Sequence, residues 1–337
     1  MKPKKQWDHK WYTEEFLQQL KATAAVEMDG DLPYITKYAP DAGSPNGIDP
    51  RLLGGPMGKM ARSTGLVPNF ILDRVKILAG FRAGCDRVSY AKCVQAKIEV
   101  RDNTVPAADG YPIPIRMYSS AQCAPGSPCL YFIHGGAFVG GTLRPYDEGW
   151  KLFVEKFRMP VVAVDYRLLP EHPYPTLYDD CCRVLEWLGG DGARELHIDP
   201  RAVFVVGDSA GGNLAQGCAT RYKGTHRVRG QLLLYPTLNL FGTTDRYYHP
   251  KETDYHPAPG QKKLAMGLVR QMELLSLRQV LFRYSEAGRS VQSLHLRPGR
   301  EPAHFSLRRC AGLPAQRHGG LGPQAARRRR AHPPGDV

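Results

Sequence analysis

The sequence predicts an α/β domain in which a mostly parallel sheet is covered by helices on both faces. Short apolar runs alternate with longer segments of helical periodicity between about residues 97 and 240. The runs at 129–133, 161–164 and 202–206 are apolar throughout, as expected of strands that are buried on both faces. Such alternation is typical of parallel strands joined by crossover helices.

The predicted elements follow one another along this region. Strands are predicted at 97–100 and 113–118, around the turn Asp109-Gly110, and then at 129–133, 161–164, 202–206 and 230–235. Helices are predicted near 146–158, near 175–188 and from Gly212 onward. Helical spacing over 11–28 and from residue 66 indicates a helical N-terminal segment.

Three regions are distinguished along the 337 residues. Residues 1–95 are interpreted as an N-terminal cap, 96–285 as the α/β core, and 286–337 as an arginine-rich tail that is expected to be disordered. Residues 281–337 contain 11 arginines, no lysine and 3 acidic residues, a net charge of +8 out of +14 for the whole chain. More than half of the excess positive charge therefore lies in the last sixth of the sequence.

Composition excludes several classes of protein. The tail lacks the interleaved aromatic residues of a single-strand nucleic-acid binder, so we expect no nucleic-acid partner. We find no secretory signal and no apolar stretch long enough to span a membrane. The eight cysteines show no metal-ligand spacing and are interpreted as reduced thiols of a cytoplasmic protein without a bound metal. The oligomeric state is left open.

A candidate nucleophile follows the strand at 202–206. The sequence Gly207-Asp208-Ser209-Ala210-Gly211 places a serine between two glycines, directly after that strand and before a predicted helix. Such a turn strains the serine backbone and leaves no room for side chains two residues to either side, which explains the glycines. Ser209 is therefore the predicted nucleophile, and Asp208, which faces away from it, is assigned a structural role.

A glycine-rich segment follows the strand at 129–133. It reads His134-Gly135-Gly136-Ala137-Phe138-Val139-Gly140-Gly141. Small residues at the carboxyl end of a parallel strand allow backbone N–H groups to point into a cavity. We predict an oxyanion hole formed by the N–H groups of Gly135, Gly136 and Ala210, with His134 ordering the loop.

Together these motifs resemble the hormone-sensitive-lipase-like branch of the α/β-hydrolase serine esterases. The resemblance covers about residues 97–240, including the segment from Asp165 to Pro175 between the two motifs. It implies a carboxylesterase without a cofactor, acting on small esters with short or medium acyl chains through Ser209. Ala137 departs from the family, since many members have a third glycine there.

Other polar residues near the motifs are assigned structural roles. Asp165, Arg167 and Glu171 are expected to form an internal polar network. Asp179 and Asp180 are expected to cap a helix or to lie on its solvated surface.

The partners of the nucleophile are missing from the places where the resemblance predicts them. An aspartate in an Asp-x-Leu-Arg context, and a histidine after it, should follow the serine, and neither is identifiable in this chain. The available substitutes are His295, His304, His318, His332 and Asp336, none of them in strand-like sequence. We therefore expect the last strands to be missing and the sheet edge near 231–235 to be uncovered.

A frameshift accounts for this tail. Read one nucleotide further on, codons for 308–316 can encode Val-Gly-Ala-x-Asp-Phe-Leu-Arg, and codons for 324–331 can encode Arg-Leu-Arg-Ala-Ala-Gly-Val. Both resemble family segments around the catalytic aspartate. Our hypothesis is a one-nucleotide shift between about 280 and 292, with the aspartate straddling Gly312 and Leu313 and the histidine encoded beyond Val337. The alternative function is an inactive hydrolase-like protein that lacks both residues.

Overall fold

The computed structural model describes residues 13–29, 31–40, 42, 74–88, 93–238, 261–262 and 304–307. The helices are α1 (Glu14–Ala22), α2 (Arg74–Cys85), α3 (Asp147–Phe157), α4 (Thr176–Leu188), α5 (Asp191–Leu196) and α6 (Ala210–Arg221). The strands are β1 (Ala25–Asp29), β2 (Leu32–Thr36), β3 (Glu99–Pro106), β4 (Pro112–Ser119), β5 (Ser127–Ile133), β6 (Val161–Val164), β7 (Ile198–Asp208), β8 (Gly230–Leu234) and β9 (His304–Leu307). Within these ranges, no helix is long and apolar enough to cross a lipid bilayer.

The central sheet has seven strands in the order β3-β4-β6-β5-β7-β8-β9. β3 and β4 pair antiparallel with each other, and β4 pairs antiparallel with β6. Every pairing from β6 to β9 is parallel, so the predicted mostly parallel sheet is confirmed. β5 and β7 are neighbours, and Ile133 lies opposite Gly207. The two sequence motifs therefore leave the same edge of the sheet side by side.

The core consists of two apolar layers, one on each face of the sheet. Successive side chains of a strand point to opposite faces. Tyr131 and Ile133 of β5 join the cluster that contains residues of α4 and α6, whereas Leu130 and Phe132 join a second cluster against α3. The predicted covering of both faces by helices is therefore confirmed.

Element boundaries agree with the predictions for part of the core and differ elsewhere. The strand predicted at 97–100 spans Glu99–Pro106, and the strand predicted at 202–206 spans Ile198–Asp208. β6 spans 161–164 as predicted, and α6 begins two residues earlier than predicted, at Ala210. The helix predicted over 11–28 ends at Ala22, because Thr23 Oγ1 accepts a hydrogen bond from Tyr38 N (3.1 Å) and donates to Leu20 O (2.9 Å). The returning chain then pairs as β2 with β1. The spacing from residue 66 lies outside the described residues.

Strand β9 corrects the expectation that the tail adds no strand. Residues His304–Leu307 pair in parallel with β8, Gln231 opposite His304 and Leu234 opposite Leu307. The edge of β8 is thus covered by four residues, although we expected it to be open. The physical reason is that an unpaired strand edge leaves backbone N–H and C=O groups unsatisfied, which even a short segment can satisfy.

The expected network of Asp165, Arg167 and Glu171 is wrong, because each of the three has a different partner. Arg167 binds Asp180 (2.7 Å) and Asp109 (2.6 Å). Asp165 lies nearest to a ring nitrogen of the histidine that opens the glycine-rich loop, and Glu171 is bound by an arginine of α2. Residues two to six apart in an irregular segment need not face one another, so proximity in sequence misled the prediction.

Asp180 also departs from its predicted role. Its side chain is only 1% exposed, and it accepts hydrogen bonds from the backbone N–H and the guanidinium of Arg167. Asp179, by contrast, is exposed and pairs with Arg221 at 3.2 Å. Asp180 therefore neither caps α4 nor faces solvent, but forms a buried ion pair between α4 and the segment after β6.

Acid is expected to destabilise the fold through carboxylates that are paired with arginine. The hydrogen bond from Arg116 lowers the pKa of Asp102, and the hydrogen bond from Arg82 lowers the pKa of Glu171. The unfolded state then binds protons at a higher pH than the native state, so this stabilisation is present above about pH 4 and is lost as the pH falls below it. Urea-unfolding free energies measured between about pH 6 and pH 3 should show a shallower decline for Arg116→Gln than for the wild type. Arg201→Gln, which changes an exposed arginine, is the control, and equal slopes for all three proteins would contradict the assignment.

Candidate active site

Ser209 lies on a sharp turn between β7 and α6. Its backbone has φ 51° and ψ −116°, a conformation in the left-handed region that is strained for a residue with a side chain. A Cβ on Gly207 would fall on the backbone of Gly211, and a Cβ on Gly211 would fall on the carbonyl groups of Ile133 and His134. The turn therefore requires glycine on both sides of the serine.

Backbone hydrogen bonds hold this turn from the neighbouring strand. Ser209 N donates to Leu234 O at the end of β8 (2.9 Å), and Thr237 N donates to Ser209 O (3.1 Å). Asn213 Nδ2 donates to Thr237 O (2.8 Å), which ties the first turn of α6 to the same segment. Ser209 Oγ forms no hydrogen bond with any residue that the structure describes. Neighbouring backbone groups thus hold the strained Ser209 backbone in place, and no described residue forms a hydrogen bond with the Ser209 hydroxyl.

The glycine-rich loop after β5 has an unusual backbone. Positive φ angles occur at Gly136 (126°), Ala137 (54°), Phe138 (65°) and Gly141 (96°). Val139 N (3.1 Å) and Gly140 N (2.9 Å) both donate to Gly136 O, which closes a tight turn. The departure from a third glycine at Ala137 places a side chain in the left-handed region, where glycine is favoured.

The structure corrects one of the three predicted oxyanion donors. Gly135 N donates a 2.8 Å hydrogen bond to Oδ1 of the buried Asp208 carboxylate, so it is not free to bind a substrate oxygen. The N–H groups of Gly136, Ala137 and Ala210 donate to no residue in the described ranges. Ala210 also opens α6, whose positive dipole end favours a developing negative charge. The free donors at this edge are therefore Gly136, Ala137 and Ala210.

Asp208 fastens the glycine-rich loop to the serine turn. Besides Gly135 N, its carboxylate accepts a hydrogen bond from Tyr146 Oη at 3.1 Å, and its residue is 7% exposed. Burial raises the pKa of the Asp208 carboxyl, and these two hydrogen bonds oppose that rise. The role of Asp208 in binding the loop was not predicted. Its sequence signal is the alternation along β7, which directs Asp208 away from Ser209.

His134 is fully buried and belongs to the framework of the loop. Its Nδ1 lies 2.7 Å from Gly135 O and therefore carries the proton, since a carbonyl can only accept. The ring stacks on Tyr166 at 4.4 Å between centroids, and Tyr166 Oη donates to His134 O (2.8 Å). Nε2 lies 3.5 Å from Asp165 Oδ1. These contacts orient the loop and place no base against Ser209.

The substitutes for the triad are not brought to Ser209 by the described part of the chain. His304 begins β9, and the carboxyl end of that strand is Leu307, three residues or about 10 Å further along. Because β7, β8 and β9 are parallel, His304 lies toward the opposite edge of the sheet from Ser209. His295, His318, His332 and Asp336 lie outside the described residues. Over the ranges described, no group of three or more His, Cys, Asp or Glu side chains is placed to hold a metal ion.

A strained serine between a parallel strand and a helix, beside a loop with free N–H groups, is the arrangement of an α/β hydrolase. A family model for the α/β hydrolase fold matches residues 130–280. The chain resembles a hyperthermophilic esterase from the archaeon Pyrobaculum calidifontis, with a TM-score of 0.52 and 26% identity over 73% of this chain and 74% of that one. The chain therefore has the α/β-hydrolase fold.

Its curated relatives include named ester hydrolases. Carboxylesterase NlhH of Mycobacterium tuberculosis is 37% identical over 143 residues, which are 42% of this chain and 44% of that protein. Ethyl acetate hydrolase of Pseudomonas putida is 35% identical over 143 residues, or 41% of this chain and 44% of that protein. The chain thus spans less than half the length of these relatives.

Proposed function

We propose that this protein is a serine carboxylesterase of the hormone-sensitive-lipase-like branch. The observation that carries the proposal is the strained Ser209 turn, next to three backbone N–H groups that make no hydrogen bond to any described residue. In such a site the serine oxygen attacks the ester carbonyl, the carbonyl oxygen becomes an oxyanion, and the donors of Gly136, Ala137 and Ala210 stabilise it. A general base takes the proton of the serine hydroxyl during this attack. Collapse of the intermediate breaks the ester C–O bond, the same proton passes to the departing alcohol, and the acyl-enzyme that remains is hydrolysed by water.

Two observations support a substrate class and a location for the proposed enzyme. Ethyl acetate is an ester with a short acyl chain, which supports small esters with short or medium acyl chains as substrates. Seven cysteines in the described part of the chain are free thiols, and Cys182 Sγ lies only 3.7 Å from Cys218 Sγ without a bond between them. Unbonded thiols in contact support a reducing compartment, such as the cytoplasm.

A second candidate is an inactive hydrolase-like protein, and one observation favours it. No histidine or aspartate among the described residues hydrogen-bonds to Ser209 Oγ, and His134 is engaged elsewhere. Without a base, a serine hydroxyl stays protonated and is a weak nucleophile. The frameshift hypothesis accounts for both candidates, since the intended reading frame would supply the missing aspartate and histidine. Resequencing the gene tests it, and an uninterrupted frame with no esterase-like continuation in the shifted reading would reject it.

Replacing the nucleophile separates the two candidates. If the protein is an esterase, Ser209→Ala should abolish labelling by a fluorophosphonate probe and reduce kcat for p-nitrophenyl butyrate by up to about 10⁶-fold. Ser120→Ala, which changes a serine in the β4–β5 connection, is the matched control and should behave as the wild type. Equal hydrolysis rates for the wild type and Ser209→Ala would reject catalysis and leave the inactive protein.

A further inference from the structure

One side chain of the N-terminal segment contacts the glycine-rich loop beside the proposed active site. Arg82, near the end of α2, donates from Nε to Val139 O at 2.6 Å and from Nη2 to Leu169 O at 3.0 Å. Its Nη1 and Nη2 also bind the carboxylate of Glu171, at 2.9 and 2.6 Å. A single guanidinium therefore binds the loop after β5 and the segment after β6.

The glycine-rich loop depends on such an external contact because its own backbone is strained. Four of the residues between 136 and 141 have positive φ, Ala137 and Phe138 among them, and the hydrogen bonds within this stretch are the two to Gly136 O. Two contacts anchor its middle from outside: Leu169 N donates to Phe138 O (2.9 Å), and Arg82 binds the next carbonyl, that of Val139. Both anchors lie within three residues of the free N–H groups of Gly136 and Ala137.

The contact is specific to the shape and charge of arginine. The planar guanidinium presents donors in a fixed fork, which here meets two carbonyl groups and one carboxylate. Glu171 supplies the opposite charge, and its hydrogen bond raises the pKa of Arg82 above its ordinary value. The neighbouring Phe81 also packs closely against the glycine-rich loop. A Cβ on Gly140 would lie 3.2 Å from the Phe81 ring.

We propose that Arg82 is a positioning residue for the oxyanion loop, so that docking of α2 sets the direction of the Gly136 and Ala137 N–H groups. The chemical purpose of this arrangement rests on the proposed esterase function, but the physical contact does not. The N-terminal segment is then a structural part of the oxyanion hole. Loss of Arg82 should loosen the loop while the sheet stays folded.

Hydrogen exchange tests the contact in the full chain without requiring activity. In Arg82→Ala, the amides of Val139, Gly140 and Leu169 should exchange at least about tenfold faster than in the wild type, because local opening is then less costly. Arg183→Ala is the matched control, since Arg183 Nε also donates to a carbonyl, Pro106 O at 2.9 Å, away from the site. Glu171→Gln, which keeps Arg82 on both carbonyls, should leave the exchange close to that of the wild type. Unchanged exchange of these three amides in Arg82→Ala would overturn the proposal, as would loosening by Arg183→Ala to the same extent.

Kinetics test the positioning role separately. If the wild type hydrolyses p-nitrophenyl butyrate, Arg82→Ala should lower kcat by about tenfold or more with little change in KM, because a misdirected oxyanion donor weakens transition-state binding. Arg82→Lys keeps the charge and reaches only one of the two carbonyls, so its kcat should be intermediate. A rise in KM at unchanged kcat would overturn the positioning role. If the wild type shows no hydrolysis, the proposed function fails, and hydrogen exchange alone decides the role of Arg82.

Discussion

Replacing Gly211 by alanine is expected to destabilise the protein by at least about 3 kcal/mol. The new Cβ would fall on the carbonyl groups of Ile133 and His134, which are backbone atoms of the central strand β5 and cannot move aside as a flexible side chain would. The clash can be relieved only if the serine turn moves away from the glycine-rich loop or if the sheet is distorted. Urea-unfolding free energies measure the loss.

Gly149→Ala is the matched control for this prediction. Gly149 lies within α3, and a Cβ there would meet nothing within 4 Å. Alanine in a helix interior is favoured over glycine by up to about 1 kcal/mol, so this variant should be as stable as the wild type or slightly more stable. If Gly211→Ala unfolded at the same urea concentration as Gly149→Ala, the close approach of β5 and α6 would be wrong.

Removing the carboxylate of Asp180 is the second change with a large expected effect. Asp180→Ala should cost about 3–5 kcal/mol, because it leaves the guanidinium of Arg167 buried and deprived of its main partner. The side chains of Asp180 and Arg167 are only 1% and 9% exposed. Asp109 stays bound to Arg167 from the solvent side and places the loss toward the lower end of that range. The free energy of unfolding and the thermal midpoint report the effect.

The neighbouring aspartate provides the comparison for this variant. Asp179→Ala removes an exposed carboxylate whose partner, Arg221, is also exposed, and such surface pairs contribute at most about 1 kcal/mol. If Asp179→Ala lost as much free energy of unfolding as Asp180→Ala, the two adjacent carboxylates would contribute equally to stability. That result would contradict the assignment of Asp180 as buried and Asp179 as exposed.

Much of the core could be predicted from the sequence, because its signals are local. The uninterrupted apolar runs of β5, β6 and β7 indicate strands that are buried on both faces, and the helices between them indicate parallel pairing. The N-terminal segment was predicted less well. Periodicity predicted a helix to residue 28. The helix ends earlier because the Thr23 hydroxyl accepts a hydrogen bond from the backbone N–H of Tyr38, 15 residues further along the chain.

The candidate site shows the same division. Ser209 and its two glycines were predicted from adjacent residues, since the strain of the turn acts over a few bonds. The free N–H groups beside Ser209 were predicted less well, because their availability depends on a contact between distant segments. Gly135 has the same local sequence character as Gly136, and it is the bond to Asp208, 73 residues later, that engages its N–H group.

The mostly parallel α/β sheet, the serine turn and the glycine-rich loop at neighbouring strand ends could all be predicted from the amino-acid sequence. Apolar periodicity and the steric needs of glycine act within a few residues, so they can be recognised along the chain. Three contacts became visible only in the folded chain: Asp208 with Gly135, Arg167 with Asp180, and Arg82 of the N-terminal segment with the glycine-rich loop. Each of these is a hydrogen bond across 13 or more residues, and its formation depends on which surfaces the packing of helices and strands brings together.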